Sequence, residues 1–237
     1  MPQVTIRLYG YLATIAGIRE TSLSFPVLPT IKHVAEHLDI PHTEIDMILV
    51  NNNLAGFETI PHDGDRIALY PAWHHLDVSH LQEKPPTIAF VVDVNAGHLA
   101  KLLRILGFDT LYNNHYTDRE LLEICQKEKR ILLTRDKSLL HHQSIRWGHW
   151  IIATNPYEQI KEIVDHYDLY NKLSPLSRCL LCNEHLLPID KKSIENHLPP
   201  RVKEWCQEFY TCPLCHRIYW KGSHYEHMMA WIKKLKK

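Results

Sequence analysis

Residues 90–112 read FVVDVNAGHLAKLLRILGFDTLY, and this stretch decides the fold of the middle of the chain. The apolar run 88–92 predicts a strand covered on both faces, and it ends abruptly in Asp93. Gly107 marks the end of a predicted helix, and residues 108–112 predict a further short strand. The helix itself is indicated by apolar residues at i, i+3, i+4, i+7 spacing, namely Leu99, Leu102, Leu103 and Leu106. The stretch therefore predicts a β-α-β unit.

The same alternation continues along the chain. Residues 117–120, TDRE, have the spacing of a capping box at the start of a helix. Residues 130–134 predict a second buried strand, and residues 150–153 predict another. Such alternation gives a parallel sheet with right-handed crossovers, in which the strands end at one edge. Asp93 and Asp136, which each follow a strand, are therefore predicted to share that edge.

Carboxylates at this edge are suited to a hard divalent cation. Mg²⁺ and Mn²⁺ prefer oxygen ligands, and Asp93, Asp118 and Asp136 could supply them. Each group also has a structural alternative. Asp118 and Glu120 could simply satisfy a helix N-terminus, and Asp136 could cap a short helix over residues 137–140.

Residues 1–76 predict a separate α+β domain. Residues 4–9, VTIRLY, alternate as in a half-buried strand, and apolar helical spacing follows Thr30. The order β-β-α-β-β, with the ending DGDRIALYP at residues 63–71, resembles the β-grasp of ubiquitin-like and sulfur-carrier proteins. A sulfur carrier works through a free C-terminal Gly-Gly, whereas this chain continues. We therefore expect a docking or scaffolding role, with a protein partner.

A linker is predicted between this domain and the next. Residues 77–86, DVSHLQEKPP, are polar and end in two prolines. The preceding His74 and His75 are predicted to be solvated rather than metal-bound.

Cysteine spacing predicts a zinc unit over residues 173–237. Two short Cys-x-x-Cys pairs can each place two thiolates on one Zn²⁺, and the 29 residues between them are compatible with a ribbon that carries an insertion. The predicted ligands are Cys179, Cys182, Cys212 and Cys215. Redox dithiol chemistry is the alternative. Cys125 is expected to be a core thiol and Cys206 a spare.

Two strings of the sequence identify a family. FVVDVNAGHLAKLLRILGFDTLY, followed by TDRELLEICQKEKRILLTRD, resembles the RNase domain of the Mut-seven C-terminal family, a branch of the PIN (PilT N-terminal) nucleases. The resemblance covers about residues 88–165. That family commonly carries a ubiquitin-like N-terminal domain and a C-terminal cysteine domain, so the resemblance extends over nearly the whole chain. It implies that Asp93, Asp118 and Asp136 are acidic metal-site positions.

The resemblance is incomplete at two acidic positions of the PIN pattern. The predicted helix 98–106 has no acid, and the late strand ends in Thr154 and Asn155. Glu120 and Asn155 are the substitutes that remain open. Thr134 matches a PIN hydroxyl that helps to orient metal or phosphate, although strand propensity explains a threonine there equally well.

Charge is distributed unevenly along the chain. Lys+Arg and Asp+Glu are both 27, but residues 1–84 hold 5 basic and 10 acidic residues and residues 174–237 hold 11 and 6. Residues 217–225, RIYWKGSHY, mix cations with aromatic rings, which suits single-stranded RNA. The predicted RNA-binding residues are Lys101, Arg104, Thr134, Arg135, Arg217, Tyr219, Trp220, Lys221 and His224. The alternatives are a solvated helix face for the first two and a packed hairpin for Trp220.

The expected architecture is α/β, with a PIN-like parallel-sheet domain over residues 87–172 between the β-grasp domain and the zinc-ribbon-like unit. The composition, 45% hydrophobic and 23% charged, is that of a globular protein. No apolar run approaches the roughly 18 residues of a membrane span, and the N-terminus lacks a leader pattern, so we expect a soluble, cytoplasmic protein. The first functional hypothesis is a metal-dependent ribonuclease, and the alternative is a non-catalytic RNA-binding or adaptor protein. Under the first hypothesis, removal of residues 1–80 is expected to leave cleavage of a generic RNA largely intact.

Overall fold

The computed structural model describes residues 1–72 and 85–235, except for the side chains of residues 224, 228, 234 and 235. Predictions for residues 73–84, including His74, His75 and most of the linker, lie outside the described residues. The strands are β1 (Gln3–Leu8), β2 (Glu20–Ser24), β3 (Met47–Val50), β4 (Asn53–Ala55), β5 (Arg66–Tyr70), β6 (Ala89–Val92), β7 (Asp109–Leu111), β8 (Ile131–Thr134), β9 (Gly148–Trp150), β10 (Leu187–Ile189), β11 (Phe209–Thr211) and β12 (Ile218–Trp220).

Helices alternate with these strands. They are α1 (Leu12–Ala16), α2 (Ile31–His37), α3 (Gly97–Ile105), α4 (Asp118–Glu128), α5 (Lys137–Leu140), α6 (Pro156–His166), α7 (Lys191–Ile194), α8 (Pro200–Trp205) and α9 (Ser223–Leu235). Short 3-10 turns occur at His42–Glu44, Val94–Ala96 and Glu195–His197. No helix among the described residues is both long enough and apolar enough to cross a membrane.

The described chain divides into two compact units. The first contains residues 1–95 and 114–152, and the second contains residues 96–113 and 153–237. Both sides of the predicted boundary at 172/173 therefore belong to one unit. The predicted boundary at 172/173 and the predicted linker over residues 77–86 stay predictions.

The β-grasp prediction is confirmed in the first unit. Its sheet has the order β2-β1-β5-β3-β4, in which only the central pair β1/β5 is parallel. The inward side chains of β1 and β5 pair at Ile6 and Ile67, because the period-two pattern places them on one face. They pack with Ile31 and Val34 of α2, and all four side chains are at most 1% exposed. The added elements are α1 and the short strand β4.

The parallel sheet is also confirmed in the first unit. Strand β8 pairs in parallel with β6 and with β9, with Val92 opposite Leu133 and Thr134 opposite Trp150. Every residue of β6 and β8 is buried, which explains their continuous apolar runs. Helix α4 packs against both strands and buries Leu121.

The predicted strand over residues 150–153 is displaced toward the N-terminus. Pairing with β8 ends at Trp150, and the Ile151 amide makes the last bond, to the Thr134 carbonyl. Beyond it the backbone of Ala153 bonds to side chains of α6, donating to Glu162 and accepting from Gln159. These side-chain bonds take the place of backbone pairing with β8. The strand therefore ends at Trp150 and is β9 (Gly148–Trp150).

The second unit combines α3, β7 and α6 with the cysteine segment. Helix α3 packs against α6, and the apolar side chains predicted for its buried face include the fully buried Leu99 and Leu103. Strands β10, β11 and β12 form an antiparallel sheet. The residues between the two cysteine pairs build a small core of their own, formed by Ile194, Leu198, Val202, Cys206 and Phe209. This confirms the expected insertion, and Cys206 packs within it.

Candidate functional site

Asp93 is held at the end of β6 by backbone and side-chain bonds. Its amide donates to the Leu133 carbonyl at 3.0 Å, which continues the parallel ladder past the strand. The carboxylate is 6% exposed; Oδ1 accepts from the Val94 amide at 2.6 Å and Oδ2 from the Thr134 hydroxyl at 2.8 Å. Asp93 is therefore fixed at the predicted edge.

Thr134 links this carboxylate to the second predicted acid. Its Oγ1 accepts from the Asp136 amide at 2.9 Å while donating to Asp93. Asp136 is exposed, and its Oδ1 accepts from both the amide, at 2.8 Å, and the hydroxyl of Ser138. Asp136 thus caps α5, as the structural alternative predicted, and its backbone amide is bonded to the hydroxyl that binds Asp93.

The third predicted acid, Asp118, is exposed in the first turn of α4. The predicted capping box is confirmed beside it. Thr117 Oγ1 accepts from the Glu120 amide at 3.3 Å, and Glu120 Oε2 accepts from the Thr117 amide at 2.8 Å. The Thr117 amide and hydroxyl lower the pKa of the Glu120 carboxyl. Glu120 thus serves the helix terminus, as its structural alternative predicted, and its assignment as a substitute metal ligand stays a prediction.

These acids do not form a closed cage. Among the residues that the structure describes, Asp93, Asp118 and Asp136 do not present ligand atoms that all lie within 4.8 Å of one another. The edge therefore offers an open set of oxygen donors. Mg²⁺ accepts such a set, because it usually keeps several waters and takes only one or two carboxylates from the protein.

The four predicted zinc ligands do come together. The Sγ atoms of Cys179, Cys182, Cys212 and Cys215 all lie within 4.8 Å of one another, and those of Cys179 and Cys215 are 3.6 Å apart. Four sulfurs at about 2.3 Å from one zinc would be separated by about 3.8 Å. The amides of Cys182 and Cys215 each point at the sulfur three residues earlier. The cluster could bind one zinc ion.

Hydrogen bonds around Cys179 favour its thiolate. Burial opposes ionisation, but bonds from the Tyr219 hydroxyl and from the Cys182 and Leu181 amides lower its pKa to about 6. The Tyr219 hydroxyl lies 3.2 Å from Cys179 Sγ and accepts from the Leu180 amide at 3.1 Å. Cys125, by contrast, is a buried core thiol, as expected, and burial raises its pKa to about 12.

Arg104 is the clearest correction to the predicted RNA-binding set. The sequence places it on an outward helix face, but it is 5% exposed. Its Nε donates to the Thr110 carbonyl at 2.9 Å, and its Nη1 donates to the carbonyls of Leu180 and Leu181 at 2.9 and 2.8 Å. These leucines lie inside the first Cys-x-x-Cys pair. Arg104 therefore clamps the cysteine cluster to α3 rather than contacting phosphate.

A second set of bonds reinforces the clamp. The Asn183 side chain accepts from the Thr110 amide at 3.0 Å and donates to Asp109 at 2.8 Å. Arg178 forms an ion pair with the same Asp109 at 3.3 Å. Asn183 has a φ of +64°, a left-handed conformation that asparagine tolerates well. None of this network was predicted, because its members are far apart in the sequence and have no common spacing.

The remaining predicted RNA-binding residues differ in accessibility. Tyr219 uses its hydroxyl at the cysteine cluster, and Trp220 packs on the insertion core beside Phe209, as its alternative predicted. Lys221 forms an exposed ion pair with Glu208. The side chains of three other predicted residues, Lys101, Arg135 and Arg217, are exposed. The side chain of His224 lies outside the described residues.

Sequence reasoning missed a buried carboxylate, Glu44. Its side chain accepts from the Trp150 amide at 2.5 Å, the Tyr11 hydroxyl at 2.6 Å and His149 Nδ1 at 3.1 Å. Glu44 is 1% exposed and His149 is 2% exposed. The surrounding sequence, PHTEID, is polar and carries no signal of burial.

A cleft of about 770 Å³ in the second unit was also missed. Its lining combines apolar side chains of α3 with exposed or half-buried aromatic rings, including Tyr157, Tyr225 and Trp231. The Tyr157 and Trp231 rings meet edge to face at 5.3 Å. These aromatic residues are scattered over residues 157–231, so no local pattern marks them.

Comparisons with known families agree with this geometry. Residues 88–232 match the Mut7-C RNAse domain family, and residues 1–77 match the Mut7-C ubiquitin family. The chain belongs to the Mut7-C RNAse family. The family is one of PIN-like nucleases, and its match covers both the parallel strands and the cysteine cluster. Membership confirms the family resemblance drawn from the sequence.

Solved structures resemble the N-terminal part of this Mut7-C protein. The small archaeal modifier protein 1 of H. volcanii is 20% identical and covers 31% of this chain and 100% of its own, with a TM-score of 0.28. A putative molybdopterin converting factor subunit 1 from Pyrococcus furiosus is 16% identical to this chain. The match covers 31% of this chain and 100% of that protein, with a TM-score of 0.26. No curated protein matches the chain.

Proposed function

We propose that the chain is a metal-dependent ribonuclease whose Mg²⁺ or Mn²⁺ is held by Asp93 and Asp136, with Asp118 as a further ligand. The observation that carries the proposal is the hydrogen-bonded link from Asp93 through Thr134 to Asp136 at the ends of β6 and β8. The link reaches Asp136 through its backbone amide, and the carboxylates of Asp93 and Asp136 are hard oxygen ligands, which fit Mg²⁺ or Mn²⁺ rather than a softer ion. Asp93 lies at the carboxyl end of a buried parallel strand, where ligands of open α/β sheets bind, and this supports a ligand role.

The chain's own groups would position the reacting parts. The Thr134 hydroxyl and the Val94 amide fix the orientation of the Asp93 carboxylate, and Thr134 also fixes the backbone of Asp136. A bound ion of this kind activates water and stabilises the leaving oxygen of a phosphodiester. Positioning of this type reduces the cost of aligning the attacking water with phosphorus.

RNA would be held by exposed cations together with aromatic rings. Lys101, Arg135, Arg217 and Lys221 remain candidates for phosphate contact because their side chains are exposed. The rings that line the 770 Å³ cleft offer stacking surfaces, and Tyr157 is 57% exposed. The zinc that we assign to the four-cysteine cluster would be structural, because all four positions of a tetrahedral site are filled by thiolates.

The test is cleavage of labelled RNA with Mn²⁺ by the full chain and by Asp93→Asn. Asparagine keeps the shape of the side chain but removes its charge, so we expect cleavage to be abolished while folding and RNA binding persist. Asp190→Asn is the matched control, because Asp190 caps α7 and asparagine caps equally well. Equal cleavage by wild type and Asp93→Asn, in preparations free of contaminating nuclease, would overturn the assignment.

The second candidate function is a non-catalytic RNA-binding or adaptor protein. The absence of a closed cluster among Asp93, Asp118 and Asp136, in the described part of the chain, favours it. It predicts that the wild type binds RNA and leaves it intact at every Mn²⁺ concentration. The same cleavage series therefore separates the two candidates.

A further inference from the structure

Residues 39–44 of the ubiquitin-like domain, here called the docking segment, contact the nuclease strands within the first unit. His42 Nε2 lies 2.8 Å from the Ile145 carbonyl oxygen, just before β9. At the end of the segment, Glu44 binds the Trp150 amide and the His149 ring. At its start, Asp39 forms an ion pair with Lys137 at 2.5 Å and lies 3.6 Å from His141. The segment therefore holds both α5 and β9.

The residues held by the docking segment are next to the proposed metal ligand. Lys137 is the first residue of α5, and Asp136 is the cap of that helix. The Lys137 ammonium also lies 4.3 Å above the Trp150 ring, and the indole Nε1 donates to the Arg135 carbonyl at 3.2 Å. Both neighbours of Asp136 in the sequence are thus fixed by contacts that start from Asp39 or from Glu44.

The Asp39–Lys137 pair is poised to hold this geometry. The Lys137 side chain is 18% exposed, so its position is limited by packing on Trp150. The Lys137 ammonium, despite the opposing effect of burial, lowers the pKa of the Asp39 carboxyl, so this acid is charged at neutral pH. Asp39 itself has a φ of +57°, a conformation that aspartate and asparagine tolerate better than other residues with a side chain.

We propose that the ubiquitin-like domain is part of the metal site, with Asp39 as a positioning residue that holds Asp136 through Lys137. This rests on the proposed function, since it assigns Asp136 to the metal. It replaces the expectation that residues 1–80 are dispensable for cleavage. Removing them would expose the Trp150 amide, the His149 ring and the Lys137 ammonium, all of which are bonded to the docking segment.

The experiment compares Asp39→Asn, Lys137→Met and the double variant with the wild type, each as the full chain. Asparagine keeps the left-handed backbone of residue 39, and methionine keeps most of the apolar stem over Trp150. Glu20→Gln is the matched control, because it removes an exposed ion pair with Arg7, at 3.9 Å, elsewhere on the same domain. Two quantities are measured: amide hydrogen exchange over residues 137–141 and Mn²⁺ affinity from the electron spin resonance of free Mn²⁺.

We expect exchange over residues 137–141 to become about three-fold faster in Asp39→Asn, which is the effect of an ion pair near the surface. Mn²⁺ binding should weaken by a similar factor, while the midpoint of thermal unfolding stays within the range of Glu20→Gln. The effects of the two substitutions should be less than additive in the double variant, because the residues share the Asp39–Lys137 contact. A merely structural role of Asp39 would change the unfolding midpoint and leave Mn²⁺ affinity unchanged.

Unchanged exchange over residues 137–141 in Asp39→Asn, or fully additive effects in the double variant, would overturn the positioning role. The proposed function fails separately, if Asp93→Asn binds Mn²⁺ as tightly as the wild type. In that case the exchange rates alone decide whether Asp39 holds the helix, and its link to the metal is refuted.

Discussion

The Thr134 hydroxyl donates to Asp93 Oδ2 at 2.8 Å, and the two side chains are 0% and 6% exposed. A buried carboxylate that loses such a donor is still removed from water, but it no longer has the hydrogen bond that offsets its lost hydration. Thr134→Val, which has the same shape, is therefore expected to lower the free energy of unfolding by about 1.5–3 kcal/mol. Urea unfolding measures the change. Thr134→Ser keeps a hydroxyl donor, so its free energy of unfolding should remain near that of the wild type. A valine variant as stable as the serine variant would contradict the prediction.

Arg104 is expected to be essential for attaching the cysteine cluster to α3. Its three bonds to carbonyl oxygens use the fixed fork of the guanidinium, which lysine lacks. Both Arg104→Lys and Arg104→Met should therefore lower stability by about 2–4 kcal/mol, through buried carbonyls left without donors. Thermal unfolding and zinc content are measured together. The control is Lys101→Met, which changes an exposed residue on the same helix. An equal loss of stability from the changes at Arg104 and at Lys101 would refute the role of Arg104 in holding the cysteine cluster.

Freshly reduced protein is expected to carry about one zinc per chain. Cys182→Ser should lose this zinc and destabilise the second unit, because metal binding and folding are coupled in such sites. Cys206→Ser and Cys125→Ser should keep it, since neither residue belongs to the four-sulfur cluster. Elemental analysis is the measurement. A zinc content that is equally low in wild type and Cys182→Ser would show that the cluster is not a zinc site.

Acid is expected to lower the stability of the fold through the burial of His42. Burial lowers the pKa of His42 below its usual value of 6.5, although its bond to the Ile145 carbonyl opposes the shift. Lys32 and His141 also disfavour its charge, while Glu36 favours it. Its neutral form therefore contributes stability above pH 6.5, and that contribution is lost as the pH falls below 6.5 through the lowered pKa.

The comparison for this prediction is His42→Gln, which can still donate to the Ile145 carbonyl but does not titrate. Between about pH 7 and about pH 5 its free energy of unfolding should fall less steeply than that of the wild type. Chemical unfolding at each pH measures both slopes. Parallel slopes would show that His42 is already solvated when folded.

The basic residues after the second cysteine pair are expected to add salt-dependent RNA affinity. Arg217→Ala with Lys221→Ala should reduce the slope of log affinity against log salt by roughly 0.7 for each lost phosphate contact. Zinc content should not change. Binding is measured by titrating single-stranded RNA across a salt series. Equal affinity and parallel slopes would place the phosphate contacts elsewhere, with Lys101 and Arg135 the next residues to change.

Elements with a local cause were predicted well. The buried strands β6 and β8, the capping box at Thr117 and the four cysteines each depend on a spacing that can be read within a few residues. The β-β-α-β-β order of elements in the N-terminal domain was also predicted, because alternation over residues 4–9 and helical spacing after Thr30 are local signals.

Features made by contacts between distant residues were not predicted. Arg104 has the spacing of an exposed helix position, and only the carbonyls of Leu180 and Leu181, 76 and 77 residues away, explain its burial. Glu44 is buried for the same kind of reason, since its donors include Tyr11, His149 and Trp150. Propensity describes neighbours in the chain, whereas these carboxylate and guanidinium groups are satisfied by tertiary partners.

The discontinuous make-up of the second unit has a consequence for biosynthesis. Residues 96–113 leave the ribosome well before residues 153–237, with which they form one compact body. During that interval α3 lacks α6, against which it packs, and Arg104 lacks the carbonyls that satisfy it. If the four-cysteine cluster holds the zinc that we propose, a shortage of zinc would prolong the interval and leave the newly made chain a target for chaperones and proteases.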